Sequence, residues 1–113
     1  MHTVDCLDFY FTPPSSERYT WGHRFGGGWW DLPDSALPDQ ETVLTYAREI
    51  EQRILSILST LQDEDLFQPM YPHRTGQHTR IGHYIYALKH TLHHHGQLAA
   101  LAVYHTGDGG SWD

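Results

Sequence analysis

The chain has 113 residues, ten of them histidine, and a formal charge of −7 from 7 basic and 14 acidic side chains. That length is one domain, burying roughly 65% of the surface its unfolded form exposes. The acidic balance argues against a nucleic-acid backbone as partner, because phosphate binding calls for clustered Lys and Arg.

Cys6 is the only cysteine, so no intrachain disulfide can form. The N-terminus lacks the basic and apolar runs of a signal peptide, and no stretch approaches the roughly 20 apolar residues of a membrane-spanning helix. A soluble, cytoplasmic protein is the expectation, with no membrane partner.

The first segment reads as a helix from about His2 to Phe11, stopped by Thr12-Pro13-Pro14. His2, Cys6, Phe9 and Tyr10 share one face of it, and Val4, Leu7 and Phe11 share another. A helix this short needs tertiary support. Residues 13–38 then hold four prolines, Gly26 to Gly28, and Trp21, Trp29 and Trp30. This punctuation predicts an ordered loop, its aromatics packed over the helices and roofing a cleft or completing a small core.

Asp39 is a plausible N-cap for the second helix. Within it, Val43, Ala47, Ile50, Ile54, Ile57 and Leu61 recur at spacings of four and three, a structural seam ending before Gln62-Asp63-Glu64-Asp65. A polar connection from Gln68 to His78 follows.

The third helix is predicted from about Thr79 to Tyr104, before Gly107. One of its faces carries Ile81, Ile85, Leu88, Leu92, Ala99 and Val103; the other carries His83, Ala87, His90, His94, Leu98 and Leu101. A helix apolar on both sides must pack on both sides. Two long helices and one short one do not close a four-helix bundle. The chain is therefore expected either to dimerise or to be the later part of a larger domain.

His90, His93, His94 and His95 fall within six residues of this third helix. His90 and His94 are one turn apart and point the same way, the spacing of two ligands for one transition metal. The bland alternative is a pair of histidines hydrogen-bonded across a helix interface. His93 is placed towards solvent or a loop, His95 within the packing, and His83 along the same groove as His90. Gln97 is expected to support His90 by a hydrogen bond. Gly96, unfavourable inside a helix by about 1 kcal/mol, suggests close approach of another backbone.

Two ligands leave a metal under-coordinated, so a third must come from elsewhere. His2, Cys6, His23, His73 and His78 are the candidates. No Ser-His-Asp arrangement, phosphate-cradling loop or HExxH is discernible, and no catalytic residue can be named.

The segment His90-Thr91-Leu92-His93-His94-His95-Gly96-Gln97-Leu98 resembles the last-helix signature of the DinB-like superfamily. Tyr46-Ala47-Arg48, Leu58, Leu61 and Asp63-Glu64-Asp65-Leu66 are similar to its third helix, and His2 to Tyr10 to the end of its second. The resemblance implies an all-α, up-down-down-up four-helix bundle, present over residues 1–113 without the first helix and most of the second. Truncation at the N-terminus or completion by a homodimer would account for this.

It also implies His2, His90 and His94 as metal ligands, and a metal-dependent enzyme acting on a small molecule. A thiol-dependent transferase is the form this takes in characterised relatives; a non-catalytic metal-binding or structural module is the alternative. Zinc is the first expectation for the ion, with nickel, iron or manganese also accepted by imidazoles. His95 departs from the arginine common before Gly-Gln in one branch.

Overall fold

The computed structural model describes residues 1–12, 24–25, 31–70 and 78–108. The fold is all-α: α1 (His2–Phe11), α2 (Gln40–Thr60), α3 (Asp63–Leu66) and α4 (Arg80–Thr106), with a 3-10 turn at Asp34–Ala36. Most of the aromatic segment before α2, including its three tryptophans, lies outside the described residues.

The helix boundaries follow local chemistry. α1 ends where Thr12 turns extended (φ −79, ψ 125), the conformation imposed on a residue preceding proline. Asp39 caps α2, its carboxylate accepting from the Thr42 backbone N–H at 2.8 Å. Thr79 caps α4 by accepting from Gly82 N–H at 3.2 Å. At the far end Gly107 adopts φ +75 and returns its N–H to the Val103 carbonyl, 2.9 Å away; the left-handed backbone there suits glycine. The sequence pattern did not separate α3 from the connection around it. Its signal is the reciprocal cap between Gln62 and Asp65, in which Gln62 N–H donates to Asp65 Oδ2 at 3.0 Å.

α1 packs against both long helices, and the α2 and α4 backbones stay farther apart, with Ile54 and Ile57 of α2 reaching the cluster that includes Ala87 of α4. The two predicted faces of α1 meet different helices, with Leu7 also packed against the cluster on the α4 side. Val4 and Leu7 line a small pocket together with Ala47, Ile50 and Ile54 of the α2 seam. Cys6, Tyr10 and Phe11 form a buried cluster with Ala87 of α4. Phe11 stacks flat on Tyr84 (centroids 4.1 Å, interplanar 9°), and Tyr10 meets Tyr86 edge-on at 5.1 Å. Phe11 thus turns to α4 rather than joining Val4 and Leu7.

A polar network crosses the α1–α2 interface. Asp8 is buried, accepts from the Tyr46 hydroxyl at 3.0 Å and pairs with the Arg53 guanidinium at 2.6 Å. Arg53 also donates to the Asp8 carbonyl at 3.0 Å and to the Thr12 hydroxyl. Tyr46, outside the periodic seam, is fully buried because its ring fills the core while its hydroxyl reaches this carboxylate.

One expectation for α4 needs correction. A Cβ built on Gly96 meets nothing within 4 Å, so no described backbone makes the close approach its position suggested. The face carrying Ile85, Leu88 and Leu92 is left uncovered within the chain, these side chains being 61%, 61% and 55% exposed, in keeping with a two-sided helix that one chain does not cover. Among the described residues no helix is long and apolar enough to cross a membrane.

Removing the cation from the Asp8 network leaves a buried carboxylate uncompensated. Arg53→Ala is therefore expected to destabilise the fold by about 3–5 kcal/mol, read from chemical denaturation. A loss within experimental error would show the network to be incidental.

Candidate metal centre

Two helices bring the candidate residues together, each with residues one turn apart. α4 presents His90 and His94 on one face, and α1, packed across it, presents His2 and Cys6. The three imidazoles converge: one nitrogen from each of His2, His90 and His94 lies within 4.8 Å of the others. Their ring centroids are 5.2 Å (His2–His90), 5.0 Å (His2–His94) and 4.5 Å (His90–His94) apart. The Nε2 atoms of His90 and His94 are 3.3 Å apart.

The remaining candidates part ways. Cys6 lies beside the cluster without being one of its three converging donors, its Sγ 3.6 Å from His2 Nε2 and 3.9 Å from His90 Nε2. His78 is exposed and outside it, while His23 and His73 lie outside the described residues. His93 is exposed as expected, beside Tyr86 and Lys89. His95 is exposed rather than held in the packing. His83 is buried near Tyr10 (centroids 6.1 Å) and does not line the groove.

Gln97 supports a different histidine from the one expected. Its Oε1 lies 2.6 Å from His94 Nδ1 and accepts when that nitrogen carries the proton. This tautomer leaves the His94 Nε2 lone pair aimed at His90. The three-residue step from His94 to Gln97 places the two side chains side by side, whereas a helical wheel alone also put Gln97 near His90.

The surroundings favour the neutral form of His2 and of His90. Burial holds the His2 imidazole below the ordinary histidine range, with His94 and then the amino-terminal charge adding to it. His90 is lowered by burial first, then by His94, His2 and His93. Burial and the Asp5 charge push the Cys6 thiol up to about 12.

Beside the cluster opens a groove of about 950 Å³, bounded by Met1, His2 and Thr3, by Leu37, Pro38 and Val43, and by α4 from His94 to Tyr104. Its walls are mostly apolar, and His2 and His94 are exposed to its interior side. Leu37 and Pro38 end the segment read from the sequence as a loop over a cleft, although no periodicity singled out these two residues.

The lowered imidazoles give stability a definite pH dependence. Folded values below 6.5 mean that the unfolded chain takes up protons first. This contribution is present above about pH 6.5 and is lost as pH falls below it. In the presence of a chelator, the urea midpoint is expected to drop between neutral pH and about pH 5. His90→Gln should flatten that drop; a midpoint that rises on acidification would contradict the assignment.

The DinB superfamily model matches residues 1–98, which span α1, α2, α3 and α4 through Leu98, and so all three clustered histidines. No curated protein and no solved structure matches the chain. With an all-helical fold and a match over most of its length, the chain belongs to the DinB superfamily.

Proposed function

We propose that His2, His90 and His94 bind one divalent transition ion, zinc by preference, and that the chain is a metal-dependent enzyme acting on a small molecule held in the adjoining groove. The carrying observation is the 3.3 Å separation of the His90 and His94 Nε2 atoms. Two imidazole nitrogens bound at about 2.0–2.1 Å to a tetrahedral zinc lie roughly 3.3 Å apart. The donor chemistry fits as well: burial and neighbouring imidazoles favour the neutral form of His2 and His90, which offers a lone pair rather than a proton.

An ion held there supplies Lewis acidity, strengthening the acidity of a water or thiol on its open side. The protein's own contribution is placement. Gln97 fixes the His94 tautomer, α1 sets His2 across from the α4 pair, and the apolar groove walls exclude water from a bound molecule. The resemblance extends this to a thiol-dependent transferase, in which the small molecule is a thiol or its acceptor. We also read the exposed Ile85, Leu88 and Leu92 face as covered by a second copy in a cytoplasmic homodimer, since so large an apolar stripe is uncommon on a monomer. A monodisperse monomer by light scattering at micromolar concentration would discard that.

Titration calorimetry of chelator-treated protein with zinc tests the centre. His90→Ala and His94→Ala should each weaken binding more than about 100-fold, because even supporting hydrogen bonds to a ligand are worth 10–100-fold. His93→Ala should leave it unchanged. Equal affinities across wild type, His90→Ala and His94→Ala would end the metal reading.

A further inference from the structure

The three-histidine reading leaves a fourth donor at the centre without a role. Cys6 is 2% exposed, and a buried cysteine often packs as a small apolar side chain. Here its sulfur also faces the imidazoles. α1 contributes His-x-x-x-Cys and α4 contributes His-x-x-x-His, so each helix offers two donors from consecutive turns, and the two helices pack against each other. A thiolate bound at about 2.3 Å to a tetrahedral zinc lies roughly 3.6 Å from each nitrogen ligand. The Cys6 sulfur stands 3.6 Å from His2 Nε2 and 3.9 Å from His90 Nε2; it lies outside the three nitrogens that are within 4.8 Å of one another, so closing the shell requires the sulfur to move towards His94.

We propose that Cys6 is the fourth ligand of this centre, completing a tetrahedral set of three imidazoles and one thiolate. The proposal rests on the metal reading above and deepens it. On coordination the S–H bond is replaced by a sulfur–metal bond and the proton passes to solvent, as a metal-coordinated thiol is deprotonated outright. The thiolate narrows the choice of ion: soft sulfur favours zinc and cobalt geometry over manganese, which prefers oxygen. It also closes the resting shell from within. A molecule in the groove then reaches the ion only by displacing Cys6 or by expanding the shell to five.

Cobalt(II) substitution separates this proposal from the reading beneath it. Wild-type protein loaded with cobalt is expected to show visible bands of tetrahedral intensity together with a near-ultraviolet sulfur-to-cobalt charge-transfer band. Cys6→Ser should abolish the charge-transfer band while cobalt still binds. Visible bands without a charge-transfer band in the wild type would overturn the Cys6 ligation and leave the histidine site standing. No cobalt-dependent band at all, with no zinc uptake, would overturn the metal reading and this proposal with it. Should Cys6→Ser fail to fold, X-ray absorption of zinc-loaded wild type decides the matter: a sulfur shell at about 2.3 Å supports Cys6, and a shell of nitrogen and oxygen alone refutes it.

Discussion

The packing of α1 between two long helices whose backbones stay apart is the constraint on which everything else depends. Ten residues cannot hold a helix in water by themselves. α1 persists because it is apolar on two sides at once, Val4 and Leu7 towards α2 and Tyr10 and Phe11 towards α4. The Asp8 network ties it further. A carboxylate buried at the interface, satisfied by Tyr46 and Arg53 from α2, fixes the axial position of α1, since sliding by one residue would strand the charge.

That axial position also sets the candidate site. His2 sits six residues before Asp8 on a rigid helix, so the pairing that anchors Asp8 determines where His2 meets α4. His90 and His94 come as a unit because the helix backbone spaces them, whereas their distance to His2 is wholly a product of how α1 lies across α4. Site geometry and core packing are therefore one problem. An ion shared between the two helices would add its binding free energy to the interface that α1 holds.

The molecule divides its apolar surface unevenly. One side of α4 is covered by α1, with Ala87 and His83 buried beneath it, while Ile85, Leu88 and Leu92 remain exposed. The groove beside His94 continues the same imbalance, since its walls are apolar yet open. Surfaces of this kind mark places where a small molecule or another chain is bound.

The amino-acid sequence determined the helices and much of the candidate site. Period, caps and breakers are local, so Asp39, Thr79, Gly107 and the proline pair after Thr12 carried their boundaries openly, and His90 with His94 was legible from spacing alone. The resemblance to DinB-like proteins, resting on the histidine segment before Gly96-Gln97, supplied His2. Tertiary structure decided the rest. Only the crossing of α1 and α4 could bring His2, with Cys6 beside it, against the α4 pair out of five candidates. It also buried Tyr46 by giving its hydroxyl a charge to meet. These choices depend on distances between residues far apart in the chain, and no pattern along a single helix encodes them.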